Sequence, residues 1–284
     1  MIPDYITIGH ITKDILADGS YTPGGTVTFA ALAARNLGAH AAILTAAPGD
    51  LRALPLYHNI EIRGPETEVA TVFENIYKPE GRHQFVRAVA PVIRPQDVPE
   101  EWRGDGQIVH LAPVAQECAP GLVKLFSNAI IGVTPQGFMR EWDSKTGLVS
   151  AIEWAGAKEL LPQVSALILS SEDLPAGKQG QAMLKQFIEL CPVVAYTRGV
   201  EGCVIFCNGT ATRVPAYPAR EIDPTGAGDV FAAAFLMHLR SSSDPLAAAR
   251  YANAAAACNI EKPGATGVPT PDEVAARLRL SPLE

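Results

Sequence analysis

Five short apolar runs constrain this chain more than any other feature. They are YITIG (5–9), QIVHLA (107–112), AIIGV (129–133), ALILS (166–170) and VVAYT (193–197). They are rich in β-branched residues and lack the polar alternation of a strand with one wet face. Such runs predict strands covered on both sides. The stretches between them carry helical spacing, at 24–38, 119–127, 153–160, 178–190, 229–240, 244–259 and 271–280. AAILTAAPGD adds a further strand and loop. Strands alternating with helices imply an α/β protein with a doubly wound, mostly parallel sheet. Two segments break the rhythm. Residues 60–90 alternate apolar and polar side chains around the turn KPEGR, which predicts a hairpin with one open face. GCVIFCNGTATRVPA reads as a second hairpin. No repeat or low-complexity linker divides residues 1–284, which read as one domain. The 60–90 hairpin, with residues near 12–23, forms either a small lid over the sheet edge or a plain extension of the sheet.

Composition narrows the partners. A chain with 48% hydrophobic and 19% charged residues can bury a large core. A net charge of −7 without any basic run argues against nucleic acid. Five cysteines without a C-x-x-C pair fit reduced, buried thiols rather than disulfides or zinc. The start, MIPDYITIGH, lacks the basic segment and apolar core of a signal peptide. No apolar stretch approaches the ~18 residues of a membrane span. The expectation is a cytoplasmic protein with no membrane partner.

DPTGAGDVFAAAFL (223–236) carries the chemistry. The Ala-rich run predicts a buried helix, with Asp229 at its first turn. Gly226 and Gly228 permit left-handed backbone and close approach to a ligand. The N–H groups of Gly226, Ala227, Gly228 and Asp229 then converge in front of the helix as an anion site. An acid repels a phosphate that is merely bound. It is useful where a hydroxyl attacks a phosphoryl group, because it takes the proton while the amides hold the developing charge. No raised pKa is required of Asp229, since the hydroxyl becomes acidic late in a loose transition state.

This string resembles the D-T-G-A-G-D signature of the PfkB (ribokinase-like) family of carbohydrate kinases, through Asp223, Thr225, Gly226, Ala227, Gly228, Asp229 and Phe231, with Pro224 inserted. The resemblance extends along nearly the whole chain and favours the lid. It implies a ribokinase-like kinase with ATP and Mg²⁺, and in some relatives K⁺ near the turn that holds Asp223. It implies an acceptor site from Asp14 and the Gly24-Gly25 backbone, with Gln136 facing the cleft. Phe29 stands where many sugar-kinase relatives have an acceptor-contacting Asn, which disfavours a ribose pose. YTRGVEG implies nucleotide contacts from Thr197, Gly199 and Gly202, joined by Thr225, Asn253 and Gly264. In place of the family's N-x-x-E, SSEDL aligns Ser170 and Asp173, with Glu172 as a rival, to an Mg²⁺ held through water. VTPQGFMREWDSKTGLV resembles a subgroup that includes myo-inositol kinases. Within it, Arg140 and Trp142 read as surface and packing residues.

The implied activity is transfer of the γ-phosphoryl group of ATP to a hydroxyl of a small polyol or sugar, myo-inositol first. Nucleosides and sugar phosphates are the other acceptors, and Arg63, Arg82 and Arg87 are cations that a phosphorylated acceptor would use. A non-catalytic ligand sensor is the rival reading, against which the intact Gly226–Asp229 string argues. A lid edge can also pair with a second copy of the chain, giving a homodimer.

Overall fold

A computed structural model describes residues 2–78, 81–104 and 106–283; side chains at positions 77, 78, 81 and 82 are not described. Pro79 and Glu80, in the expected KPEGR turn, and the Arg82 side chain therefore lie outside the described residues. In chain order come β1 (Tyr5–Ile8), β2 (Thr12–Ile15), β3 (Tyr21–Gly24), α1 (Thr26–Asn36), β4 (Ala41–Leu44), the one-turn α2 (Gly49–Arg52), β5 (Glu61–Arg63), β6 (Thr71–Lys78) and β7 (Gly81–Ala88). Then follow β8 (Ile108–Leu111), β9 (Ile130–Val133), β10 (Arg140–Trp142), β11 (Val149–Ala151), the one-turn α3 (Ala157–Leu160), β12 (Ala166–Ser170), α4 (Lys178–Leu190) and β13 (Val193–Thr197). The chain closes with β14 (Cys203–Cys207), β15 (Thr210–Val214), α5 (Ala227–Ser242), α6 (Pro245–Asn259) and α7 (Pro271–Leu278).

Nine strands form the central sheet in the order β15-β14-β13-β12-β9-β8-β1-β4-β5. Pairing is parallel except at β13–β14 and β14–β15. Alternate residues of each strand feed opposite cores, as the pleat requires. Ile108, Ala166, Ile168 and Ala195 join α1, α5 and α6 on one face. Val109, Leu111, Leu167, Leu169 and Val194 join Trp102, Leu122, Phe126 and Phe187 on the other. Covering on both faces is the physical reason these strands read as unbroken apolar runs.

Two expected helices are absent from the second face. Residues 119–127 hold only a 3₁₀ turn at Leu122–Leu125, and 153–160 only the four residues of α3. Pro120 and the left-handed Gly121 (φ 89°) interrupt the first, and Gly156 and Pro162 bracket the second. The apolar side chains there are buried from loops instead.

A separate four-stranded sheet, β3-β2-β6-β7, stands beside the main one. Its range is narrower than the expected 60–90, because Glu61–Arg63 pairs parallel with β4 at the edge of the main sheet. A third element has no counterpart in the sequence reading. The β10–β11 hairpin pairs antiparallel and reaches β7. There the Val86 N–H donates to Gly147 O at 2.8 Å, and Arg87 Nη1 donates to Thr146 O at 3.0 Å. Gly147 has φ 77°, and a methyl there would overlap the Val86 carbonyl, so glycine is what permits the contact. Among the described residues, no helix is long and apolar enough to cross a membrane.

One buried acid organises the loops at the strand ends. Glu117 is 1% exposed. It accepts from the backbone N–H groups of His10 (2.8 Å), Val114 (3.0 Å) and Ala115 (2.7 Å). These bonds tie the β1–β2 connection to the loop after β8. Glu117→Ala leaves three buried donors without an acceptor and should destabilise the fold by about 2–4 kcal/mol in urea denaturation. Glu117→Gln, which retains an acceptor oxygen, should lose less.

Candidate active site

The site lies where three pieces of the chain meet: the start of α5, the segment from β2 to α1, and the turn after β9. At the start of α5, Gly226 is left-handed (φ 77°, ψ 0°) and no side chain caps the helix. The Ala227 N–H is spent on the Pro224 carbonyl at 3.1 Å. The expected four-amide cradle is therefore a set of three. Among the described residues, no backbone carbonyl accepts from the N–H groups of Gly226, Gly228 or Asp229. These groups carry the positive end of a sixteen-residue helix. Gly226 and Gly228 are glycine for different reasons. Gly226 needs its positive φ, whereas Gly228 has ordinary helical backbone, contrary to the sequence reading. A side chain at Gly228 would project into open space in front of the helix.

Asp229 follows on the first turn. Burial pushes its carboxyl up to about 7, helped by the nearby charges of Asp173 and Asp14. A hydrogen bond with Thr26 and the charge of Arg140 pull the other way. The sequence reading required no raised value of Asp229; the fold supplies one. It also assigns a place to two residues that sequence reasoning missed. Thr26 immediately follows the Gly24-Gly25 pair in the chain, and Arg140 ends the T-P-Q-G-x-x-R run, so both sat within motifs already singled out.

On the acceptor side, Asp14 lies on β2 opposite Thr22 of β3. Its Oδ1 accepts from Thr12 Oγ1 at 2.9 Å. Gly24 packs against its carboxyl group: a methyl on Gly24 would stand 2.9 Å from Asp14 Cγ. Gly25, with φ 86°, is the N-cap of α1 and lies against the His10 carbonyl. The glycine pair thus brings β3 onto Asp14 and turns the chain into α1. Phe29, one helical turn along, is 6% exposed.

The turn after β9 forms the third wall. Gln136 opens a 3₁₀ turn, and its Nε2 donates to Asp173 Oδ1 at 3.4 Å. The other oxygen of Asp173 accepts the Ser170 N–H at 2.8 Å, closing a capping box. Burial raises the Asp173 pKa. Glu172, beside it, is exposed. A cavity of about 160 Å³ lies here, lined by Gln84 from β7, by Gln136, Arg140, Glu172 and Asp173, and by β11. Arg140 faces this cavity and is its one lining cation among the described residues, rather than a plain surface residue.

The residues expected to contact the nucleotide divide into two groups. Asp223 accepts from the Thr225 N–H at 2.9 Å and from the Gly264 N–H at 2.7 Å. It joins the turn before α5 to the loop after α6. Asn259 Nδ2 holds the Thr225 carbonyl at 2.9 Å, while its Oδ1 is buried without a partner. Gly199 (φ 54°) has open space around it. The other positions face inward. Asn253 is 6% exposed, and its Nδ2 is spent on the carbonyls of Val214 and Pro215, at 3.0 Å each. It pins the end of β15 and does not present its amide nitrogen to a nucleotide, which corrects the sequence reading. Gly202 (φ 84°) is required by packing, since a methyl there would stand 2.6 Å from Ala216 N. Thr197 Oγ1 donates to Leu169 O at 3.4 Å.

Known proteins similar to this chain are kinases. The model of the pfkB family carbohydrate kinases matches residues 145–273. An inositol 3-kinase of Oryza sativa is 28% identical over 94% of this chain and 70% of its own length. One of Zea mays is 28% identical over 81% of this chain, which spans only 58% of that protein. Among solved structures, a pyrophosphate-dependent kinase of the ribokinase family, complexed with a pyrophosphate analogue and myo-inositol, superposes with a TM-score of 0.78. It is 20% identical, with 96% of this chain and 99% of that one covered. The ribokinase of Arabidopsis thaliana, complexed with ribose and ATP, gives 0.74 at 17% identity, with 99% and 100% covered. At these identities the superpositions establish the fold. Residues 145–273 thus match the pfkB family of carbohydrate kinases, and the chain as a whole has the ribokinase-like fold.

Proposed function

We propose that the protein transfers the γ-phosphoryl group of ATP to a hydroxyl of a small polyol or sugar, with myo-inositol the favoured acceptor. The observation that carries this reading is the pairing of Asp229, near 7, with the unspent amides at the start of α5. A carboxylate poised near neutral pH is suited to accept a hydroxyl proton. The amides beside it suit a phosphoryl group as negative charge spreads over its oxygens.

The acceptor lies between Asp14, the Gly24-Gly25 backbone and the smaller sheet. Asp14 receives its hydroxyl hydrogens, as a carboxylate can from two donors at once. Gln136 adds a polar contact from the opposite wall. Asp229 takes the proton of the attacking hydroxyl. Arg140 lowers the cost of assembling negative phosphate among Asp14, Asp173 and Asp229. The smaller sheet acts as a lid that excludes water during transfer. The residues present also fit Mg²⁺, which neutralises phosphate oxygens when bound. Mg²⁺ usually keeps several waters and takes only one or two carboxylates. Glu172, exposed at the cavity, suits that role better than Asp173, whose two oxygens already accept hydrogen bonds. On the donor side, Asp223 links the two loops that flank the nucleotide. Ile222 (58% exposed) and Val200 (75% exposed) offer apolar surface there for a base. The buried, unpartnered Asn259 Oδ1 beside the Thr225 carbonyl suits K⁺ better than an anion.

A coupled screen tests this reading. It offers Mg²⁺ and either ATP or pyrophosphate as donor, against inositols, hexoses, pentoses, nucleosides and sugar phosphates. Transfer to a nucleoside or sugar phosphate overturns the polyol assignment and retains the kinase. Tight ligand binding without transfer from either donor favours the sensor.

Further outcomes are expected of the active protein. Asp229→Asn should lower kcat by about 10²–10⁴-fold, the usual loss of a general base, while isothermal titration still detects ATP. The same variant should be more stable than wild type at pH 8 and not at pH 4. Asp229 titrates near 7 in the fold and near 3.9 when unfolded, so its favourable contribution is present below about pH 4 and lost as pH rises through 7. Thermal melts at both pH values check the sign.

The pH profile of kcat/KM should fall on the acid side near pH 7, because free enzyme with Asp229 protonated lacks its base. Thr26→Val removes the hydrogen bond that favours the carboxylate, so its acid limb should move to higher pH. An unmoved limb would detach Thr26 from the base.

Hydrogen exchange should show β6 and β7 gaining protection when acceptor is added. Equal protection with and without acceptor would count against a lid.

A further inference from the structure

Position 29 is where this chain departs most plainly from the sugar-kinase pattern, since an aromatic ring replaces an acceptor-binding amide. The structure shows what the ring touches. A methyl group added at Gly226 would stand 2.5 Å from Phe29 Cγ and 2.7 Å from Cε1. The ring therefore lies directly against the backbone at the left-handed turn that starts α5. It is buried at 6% exposure within the core shared by α1 and α5.

Phe29 does not act in isolation. Thr26 and Phe29 are three residues apart on α1, so they share one face of the helix. That face meets the start of α5 twice: Thr26 lies close enough to Asp229 to favour its carboxylate, and the Phe29 ring rests on Gly226. Gly226 sets the direction of the amides that follow it. A glycine with φ 77° has wide conformational freedom unless its surroundings restrict it. The Phe29 ring is one such restriction, and the buried Asn259, which holds the preceding Thr225 carbonyl, is another. Closely packed interiors transmit small displacements, so a shift at position 29 moves the turn that aims the amides.

We propose that Phe29 is a positioning residue for phosphoryl transfer, which acts through Gly226 by holding the turn that aims the α5 amides. The proposal rests on the kinase reading. It makes position 29 serve transfer geometry rather than acceptor affinity. The consequence for specificity is direct: a ring seated on Gly226 cannot also supply the hydroxyl contact that an Asn supplies, so acceptor recognition falls to Asp14, the glycine pair and the cavity after β9.

Steady-state kinetics with the best acceptor and donor from the screen test it. Six variants are compared with wild type: Phe29→Tyr, Phe29→Leu, Phe29→Asn, Phe29→Ala, Gly226→Ala and Phe29→Ala/Gly226→Ala. Phe29→Tyr keeps the ring and should hold kcat within about threefold, as near-isosteric changes do. Phe29→Leu and Phe29→Asn should lower kcat by about 10–100-fold, the scale set by misplacement of about 1 Å, with acceptor KM nearly unchanged. Gly226→Ala should lose at least about 100-fold by the same displacement. Adding Phe29→Ala clears the overlapping ring, so the double variant should exceed Gly226→Ala by about tenfold, a coupling that independent sites do not show.

Higher acceptor affinity in Phe29→Asn at unchanged kcat would overturn the proposal, and would make position 29 an acceptor contact. So would a double variant whose loss is the product of the single losses. If circular dichroism shows the Ala variants unfolded, the split between kcat and KM in Phe29→Leu and Phe29→Asn decides alone. Wild-type protein that transfers from neither ATP nor pyrophosphate overturns the kinase reading itself, an outcome distinct from active enzyme with unaltered position-29 variants.

Discussion

Half-burying the carboxylate of Asp229 works against the fold, and the site is arranged around that cost. A charge withdrawn from water favours its neutral form, here by enough to bring the group near 7. Asp173 and Asp14 add to the penalty, while Thr26 and Arg140 reduce it. The balance leaves an acid that can change protonation state near neutral pH. Strain of this kind is tolerated where function requires it and is offset by packing elsewhere. The nine-stranded sheet supplies that packing, with closed cores on both faces.

The same sheet decides where the chemistry sits. Parallel strands bring the ends of β1, β8, β9 and β12 to one edge, and their loops carry the glycine pair, Gln136 and Asp173. Open α/β sheets bind ligands at this edge because the loops there diverge and leave a crevice. Glu117 keeps two of those loops in register from beneath, through three backbone donors. Asp223 does the same on the donor side, through Thr225 and Gly264.

The β10–β11 hairpin adds a link between the smaller sheet and this edge. It carries Arg140 at one end and meets β7 through Gly147, while Gln84 of β7 lines the same cavity. The smaller sheet and the wall bearing Arg140 are thus hydrogen-bonded to one another.

The sequence alone determined the α/β class, the main strands, the long helices and the place of Asp229 in the first turn of a helix. Each is a local property. Two-sided burial writes unbroken apolar runs, and a helix start beside an acid writes glycine before aspartate. The chain could not show that 119–127 lacks a helix, because burial from a loop uses the same apolar residues. It could not show that Gly226 alone of the two glycines is left-handed, or that Ala227 spends its N–H on Pro224. Asn253 looked available because its inward partners, Val214 and Pro215, are distant in the chain. Arg140 looked like a surface residue because the cavity it faces is assembled from β7, β11 and the turn after β12. Only the tertiary structure decided the pKa of Asp229 and the contact of Phe29 with Gly226. Both arise from groups far apart in sequence and close in space, and periodicity carries no record of such distances.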